Sequence, residues 1–298
     1  MKTTLFAVLF FCVFLTFGYG QNTASKKFHN KIDDIKTAKD IKKLLVEIDK
    51  ERFEDFRIRE DLEVYRVDCQ KIVDDLNIKP WTKADFDNNG YTDLLIVESD
   101  GGHSNIAIID SGGNSFYIET LPKSFFPTCS FPLVEEKGND KIIVYNKFVT
   151  DRTPVQNLIY KFGGFVEPNE NPKEYKIEKI EYETGICYGT CPSFELKINF
   201  DRTAEYNAKI YNKKKGKFTG KILQSNYDEL VGLLNYIDFP NLKDNYSVNW
   251  TDDQTSILKI TYNNGKVKTI KDYGLIGTFG LNRVYSILFD LRENQQWK

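Results

Sequence analysis

One stretch of the sequence has residue types and a spacing that could bind a metal ion. Side-chain oxygens stand at its first, third, fifth and ninth positions and a glycine stands at its sixth: Asp85, Asp87, Asn89, Asp93 and Gly90. Short oxygen side chains at alternate positions, a backbone carbonyl at the seventh and a glycine at the sharp turn are how a chain wraps calcium. We therefore expect a calcium ion here, with the carbonyl oxygen of Tyr91 at the seventh position.

The residues after this loop indicate what kind of calcium site it could be. A helix–loop–helix site needs a bidentate acid at the twelfth position, where this chain has Ile96. The apolar run at residues 94–97 is instead typical of a strand. The pattern D-x-D-x-N-G-x-x-D-L before a strand resembles the FG-GAP/VCBS type of calcium loop found in β-propeller blades, over residues 85–97. The resemblance implies side-chain ligands from Asp85, Asp87, Asn89 and Asp93 and a carbonyl ligand from Tyr91.

Two further observations bear on this loop. It occurs once in the chain, whereas a propeller repeats it from blade to blade, so we do not expect a full propeller. The alternative to an ion site is a polar Asx turn, with Asn89 and Gly90 at a hairpin. Three carboxylates within so short a segment repel one another without a counter-ion, which favours the ion.

A second motif holds two of the cysteines. Residues 184–192 read T-G-I-C-Y-G-T-C-P, and their glycines and proline let the chain curl so that Cys187 and Cys191 can meet. The stretch resembles the T-G-x-C-x-G-x-C-P signature of an uncharacterised domain-of-unknown-function family of bacterial exported proteins, over about residues 175–293. That family has no established activity, so the resemblance implies a fold and no mechanism. The alternative is a redox dithiol, although redox pairs are normally C-x-x-C at the start of a helix.

The first residues of the chain predict export. Lys2 supplies a positive start, residues 5–17 are apolar, and Gly18 and Gly20 are the small residues before a cut at Gln21. Residues 1–20 are therefore expected to be a signal peptide, with an uncleaved anchor helix as the alternative. We expect no transmembrane segment after cleavage, and a periplasmic or extracellular location.

Export also bears on the remaining cysteines. Of the five cysteines, Cys12 would leave with the signal peptide, and an even number in an exported chain favours disulfides. The simplest pairing is one bridge in each domain, Cys187–Cys191 and Cys69–Cys129. The second bridge rests on parity alone, and free buried cysteines remain its alternative.

The elements that must position these residues form two α+β domains, each a mainly antiparallel sheet with a few helices. In the first domain, residues 21–167, apolar residues recur with a helical period from Thr37 to about Asp61, and a second helix is predicted over residues 67–76. Strands are predicted at residues 94–98, 105–110, 115–120, 141–149 and 155–162.

Residues 168–172 are predicted to be a linker, because two prolines and polar residues interrupt both periodicities. The second domain, residues 173–298, has the predicted order ββββαββα. Its helices are expected at residues 225–237 and 281–292, and the Asn-Asn-Gly sequence ending at Gly265 predicts a hairpin turn between its last two strands.

The composition gives little support for catalysis. A net charge of −2 predicts no general attraction to nucleic acid, and two histidines, His29 and His103, cannot build a zinc site or an acid–histidine–nucleophile arrangement. The lysines at residues 213–215 predict an exposed hairpin tip, with contact to an anionic surface as the alternative. The expected function is a non-enzymatic binding or envelope-associated module with structural calcium. The alternative is a metal-dependent hydrolase of a cell-surface polymer, with a catalytic metal held by residues 85–93.

Overall fold

A computed structural model describes residues 27–64, 67–97, 105–121, 129–137, 140–148 and 156–298. Within these ranges the chain forms three sheets and five α-helices, which confirms the predicted α+β class. The expected signal peptide and His103 lie outside the described residues. None of the helices described is both long enough and apolar enough to cross a membrane.

The first half begins with helices and continues as two four-stranded antiparallel meanders. The helices are Ala38–Ile48 (α1), Lys50–Phe53 (α2) and Val67–Asp75 (α3). The first sheet contains Trp81–Ala84 (β1), Asp93–Ile96 (β2), Asn105–Asp110 (β3) and Phe116–Leu121 (β4). The second contains Cys129–Lys137 (β5), Asp140–Phe148 (β6), Gln156–Lys161 (β7) and Gly164–Val166 (β8).

The first sheet is covered on both faces, which explains why its strands are apolar at successive positions. Leu94 and Ile96 belong to the core formed with α1 and α2, whereas Leu95 between them belongs to the core shared with the second sheet. Successive side chains of a strand point to opposite faces. The sheet is therefore the middle layer between the helices and the second sheet.

The prediction of a single long helix from Thr37 to Asp61 is wrong at its C-terminal end. Thr37 begins α1 with a capping box, but Asp49 takes extended dihedral angles and its carboxylate accepts a hydrogen bond from the Arg52 amide. An aspartate that bonds the backbone in this way ends one helix and caps the next. The helical pattern beyond Phe53 therefore marks packing residues in irregular chain.

The second half is one seven-stranded sheet with two helices packed on one face. Its strand order is β12-β11-β10-β9-β14-β15-β13, and the short β13 pairs with β15 in parallel. The elements are Ile177–Thr184 (β9), Phe194–Asn199 (β10), Thr203–Ala208 (β11), Gly216–Lys221 (β12), Gln224–Tyr236 (α4), Asn245–Ser247 (β13), Thr255–Tyr262 (β14), Lys266–Tyr273 (β15) and Phe279–Asn294 (α5). The observed order adds only β13 and a 3₁₀ turn, Phe239–Asn241, to the predicted one.

The two halves are joined by more than the peptide chain. Residues 168–172 form no helix or strand, but Asn169 donates its backbone amide to the hydroxyl of Tyr236 at the end of α4. Val166 at the end of β8 lies in the core of the second half. Glu167 accepts the amides of Phe279 and Gly280, at 2.7 and 2.9 Å, at the start of α5. The domain boundaries themselves remain a prediction.

The cysteines of the second motif lie at the beginning of this sheet. The Cys187 and Cys191 sulfur atoms are at bonding distance, and the Cα atoms are 5.7 Å apart. Cys69 is buried in α3, but the side chain of Cys129 lies outside the part of the chain that is described. The Cys69–Cys129 pairing therefore remains a prediction.

We expect Glu167→Gln to lower the free energy of unfolding by about 1 kcal/mol, measured by urea denaturation. The substitution removes a charge that faces the positive end of α5 and weakens one of two charge-assisted hydrogen bonds. Glu174→Gln is the matched control, because Glu174 is exposed in the same connecting stretch. Equal decreases in the free energy of unfolding of both variants would show that the Glu167 carboxylate does not stabilise the start of α5.

Mass spectrometry of unreduced peptides should find Cys187 joined to Cys191. Closing so short a loop should stabilise the native state by about 2 kcal/mol on the chain-entropy estimate, and the Cys187→Ser/Cys191→Ser double variant should lose that amount. Two free thiols in protein purified without reductant would contradict the prediction and would favour the redox alternative.

Candidate metal centre

The acidic loop joins β1 to β2 within the first sheet. Ala84 and Asp93 are paired across the two strands, so the residues between them form the hairpin connection. Asn88 and Gly90 both take positive φ angles, 59° and 89°. Asparagine and glycine tolerate this left-handed conformation best, and it folds the loop back on itself. The local sequence therefore makes the tight turn that brings the flanking carboxylates together.

The turn gathers all three predicted carboxylates. One oxygen each of Asp85, Asp87 and Asp93 lies within 4.8 Å of the other two. Asp85 and Asp87 are partly exposed, whereas Asp93 is fully buried. Among the residues described, this is the group of carboxylate, histidine or thiol ligands that could hold a metal ion.

Backbone amides fix the orientation of the carboxylates. The two oxygens of Asp93 accept the amides of Phe86 and Asp110, at 2.7 and 2.8 Å. The two oxygens of Asp85 accept the amides of Asn89 and Gly90, at 3.1 and 2.9 Å. A carboxylate oxygen has further lone pairs beyond one hydrogen bond, so these bonds hold the groups in place and leave acceptor capacity for a cation.

The other two predicted ligands lie in the same turn. The side-chain amide of Asn89 donates to Asp87 at 3.0 Å, and its oxygen accepts the Tyr91 amide at 2.8 Å. The Tyr91 ring stacks on Phe28, with ring centroids 4.9 Å apart. The carbonyl oxygen of Tyr91 remains a predicted ligand, as does the side-chain oxygen of Asn89.

One residue that supports the loop was not identified from the sequence. Asp110, at the end of β3, donates its amide to Asp93 and accepts the Asn89 side chain on its carbonyl oxygen at 2.6 Å. Its buried carboxylate accepts the amides of Gly112, Asn114 and Ser115 in the next turn and the Asn30 side chain. An aspartate before a Ser-Gly-Gly-Asn turn is a recognisable Asx signal. Its contact with the acidic loop depends on tertiary structure.

Burial and mutual repulsion raise the pKa of two of the carboxyl groups. The pKa of Asp93 is raised to about 7, first by burial of the carboxyl group and then by the negative charges of Asp87 and Asp85. Burial likewise raises the pKa of Asp87 to about 6, with the neighbouring charge and hydrogen bond of Asp85 contributing. Without a cation, the loop therefore favours bound protons at these positions.

The second sheet packs close to the loop. The Phe86 ring contacts the Phe165 ring edge to face, with centroids 5.4 Å apart, and Tyr160 packs on Phe165 at 5.3 Å. Burial raises the pKa of the Tyr160 hydroxyl, and the negative charges of Asp87 and Asp93 also raise it. These contacts connect the loop to β8, whose next residue, Glu167, caps α5.

His29 and the two cysteines of the second motif do not join this site. His29 is exposed, and its ring nitrogens lie 3.5 and 3.3 Å from carboxylate oxygens of Asp33 and Asp34. Cys187 and Cys191 lie before β10, which belongs to the seven-stranded sheet of the second half. The carboxylates of the acidic loop are therefore the residues on which a functional interpretation can be built.

When a chelator removes metal ions, the stability of the protein should depend on pH because the folded loop keeps protons on its carboxyl groups. The folded-state pKa values of Asp93 and Asp87 exceed the unfolded value, so the folded chain binds more protons between about pH 4 and pH 7. These two groups therefore make the protein less stable as the pH rises through that window. Calcium must displace the same protons, so its stabilising effect should be larger at pH 8 than at pH 5.5.

Thermal unfolding at both pH values, in calcium and in chelator, measures this difference. Other carboxyl groups with raised pKa values, such as Asp272 and Asp290, change stability equally in both solutions. The difference between the solutions therefore reports the loop. A calcium effect that is the same at both pH values would contradict the assignment of these protons.

Comparison with known proteins finds similarity only in the second half of the chain. Residues 178–292, less than half of the 298, match the family described as Domain of unknown function (DUF6438). The match spans β9 to most of α5, and it agrees with the predicted resemblance to an uncharacterised domain family. No curated protein matches the chain, and no solved structure does.

Proposed function

We propose that this protein is an exported, non-enzymatic binding module of the cell envelope whose first half contains one structural calcium site. The observation that carries the calcium proposal is the convergence of Asp85, Asp87 and Asp93, with ligand oxygens within 4.8 Å of one another. Carboxylate, amide and carbonyl oxygens in a flexible loop are the ligands that calcium prefers. Export is supported by the sequence of residues 1–20.

The surroundings of the carboxylates favour a structural over a catalytic ion. A catalytic metal needs an open coordination position and a nearby general base. Asp93 is fully buried, and both of its oxygens accept backbone amides. The hydrogen bonds from Phe86 and Asp110 tie the ligand to the loop after β1 and to β3, so an ion held by Asp93 would cross-link the loop to the sheet. A hydrolase acting on a cell-surface polymer remains the alternative that the experiment addresses.

The electrostatics indicate why the fold would need the ion. Without it, two partly exposed carboxylates stand beside a buried one, and the pKa of Asp93 rises to about 7. A divalent cation would replace repulsion by attraction among the same groups, in a site where burial weakens screening by salt. The ion would thus contribute to folding stability in proportion to how often it is bound.

Calcium should raise the thermal midpoint of the protein by several degrees, and magnesium should raise it less. Extracellular calcium modules commonly bind with dissociation constants on the order of 10⁻⁴–10⁻³ M. Ten millimolar calcium would then stabilise the fold by roughly 1.4–2.7 kcal/mol. Magnesium demands tighter octahedral geometry than a loop of this kind supplies. Thermal unfolding in calcium, magnesium and chelator measures the effect.

The variant Asp87→Ala should abolish the calcium response and leave the midpoint in chelator unchanged or slightly higher, because a repelling charge has gone. Asp55→Ala is the matched control, since it removes one exposed carboxylate from the same half of the chain outside the loop. If the unmodified protein has the same thermal midpoint in calcium and in chelator, the loop is only a polar turn and binds no calcium. Chelator-sensitive hydrolysis of a cell-surface polymer would instead support the alternative function.

A further inference from the structure

Exposed apolar side chains gather at one end of the seven-stranded sheet. Six of the twelve large apolar side chains exposed in the described part of the chain lie in the loops at that end: Ile186, Tyr188, Ile210, Tyr211, Trp250 and Ile276. Tyr188 is 89% exposed and Ile186 is 62% exposed. Single exposed apolar residues are common, but a concentration of them marks an interaction surface. We call these six residues the apolar tip.

Strand pairing brings the loops of the apolar tip together. The loop after β9 leads into β10, and the loop after β11 leaves from the same end, because Phe194 pairs with Ala208. The Ser193 amide bonds the Ile210 carbonyl at 2.9 Å. The Tyr188 amide bonds the Asp252 carbonyl in the loop before β14, also at 2.9 Å. These three loops, which carry five of the six residues, therefore form one continuous surface.

The loops of the apolar tip are held in place although their apolar side chains face solvent. The sulfur atoms at residues 187 and 191 enclose Tyr188 in a short ring. Tyr211 takes a φ of 58°, a left-handed conformation that is unusual for an aromatic residue. The next residue, Asn212, donates to the Ser193 carbonyl at 2.7 Å and accepts from Arg292 at 3.0 Å. Backbone strain that the surroundings enforce is characteristic of functional surfaces.

A cluster of lysines borders the apolar tip on one side. Residues 209–216 carry four lysines, of which Lys209 pairs with Glu183 and Glu195 at 3.0 and 2.7 Å and Lys213 pairs with Glu293 at 3.1 Å, so the exposed Lys214 and Lys215 are the main source of positive charge. Lys213, Lys214 and Lys215 are all exposed, and only Asn212 separates them from Tyr211 in the chain. Aliphatic and aromatic side chains next to a lysine cluster are the composition of segments that bind at the surface of anionic membranes.

We propose that the apolar tip attaches the protein peripherally to an anionic lipid surface. The inference rests on the export and envelope association proposed above and specifies the partner. Ile186, Tyr188, Ile210 and Tyr211 enter the headgroup region, and the ammonium groups of the lysine cluster meet lipid phosphates. Tyrosine suits this depth because its ring is apolar and its hydroxyl stays hydrated.

The shape of the apolar tip favours a lipid surface over a protein groove. The exposed side chains stand on separate loops at one end of the sheet. A bilayer interface accepts such protruding side chains without a complementary shape, whereas a protein partner must match them. Contact with lipid also explains why the loops are held rigidly, since side chains fixed in the outward position lose less conformational freedom on binding.

The test is co-sedimentation of the chain from Gln21 onward with vesicles in chelator. The apolar residues before Gln21 are omitted because they would bind lipid themselves. We expect binding to vesicles of equal parts phosphatidylglycerol and phosphatidylcholine, weakening as salt rises, and far weaker binding to phosphatidylcholine alone. The vesicle partition coefficient should fall about fivefold for each of the substitutions Lys213→Gln, Lys214→Gln and Lys215→Gln. Ile210→Ser should weaken it about tenfold.

Matched controls lie at the opposite end of the same sheet. Phe200→Ser removes another exposed apolar side chain there, and Lys176→Gln, Lys221→Gln and Lys266→Gln each remove one exposed lysine charge, as each single change in the cluster does. All of these control variants should bind as the unmodified protein does. Circular dichroism melting of every variant should be unchanged, since the substituted side chains are exposed.

No binding to anionic vesicles would overturn the proposal, as would equal losses in the tip and control variants. Binding to a soluble acidic polypeptide without binding to vesicles would overturn it in favour of a protein partner. Because the assay is run in chelator, these outcomes are independent of the calcium response that tests the proposed function.

Discussion

The burial of the Asp93 carboxylate is the constraint on which the first half of the structure depends. A buried carboxylate costs free energy unless charge or hydrogen bonds compensate it. Here the compensation comes from two backbone amides, one at residue 86 before the turn and one at residue 110 on the neighbouring strand. The same carboxylate thus fixes the loop, closes the hairpin between β1 and β2, and holds β3 in register. Calcium would complete this compensation by balancing the charges of Asp85 and Asp87.

The contacts of this loop extend into the second half of the chain. Phe86, whose amide bonds Asp93, packs its ring on Phe165 in β8. Two residues further on, Glu167 caps the first turn of α5, which lies in the core of the seven-stranded sheet. Arg283 of α5 returns a hydrogen bond to the carbonyl of Phe162, at 2.6 Å. An ion that orders residues 85–93 would therefore also steady the contact between the halves.

The sequence predicts local features of this protein better than contacts between distant segments. The Asp-rich turn and the two meeting cysteines are visible in the sequence because their residues are neighbours in the chain, and turn chemistry depends on neighbours. The end of α1 at Ile48 was missed, because an aspartate at residue 49 outweighed the apolar period that continues past it. The role of Asp110 was missed because only strand pairing brings it to the acidic loop. The parallel strand β13 has only three residues, too few for a periodic signal.

The acidic loop and the apolar tip place side chains in two different kinds of unfavourable surroundings. The first half buries charge among apolar residues, which is stable only with bonded partners and is best satisfied by a cation. The second half exposes apolar side chains on loops that the fold keeps in place, although leaving such groups in water forgoes the stabilisation that their burial would give. The short cysteine ring contributes little to the core, since Tyr188 within it is almost wholly exposed. Its physical effect is to keep that side chain directed outward, toward whatever surface the protein meets.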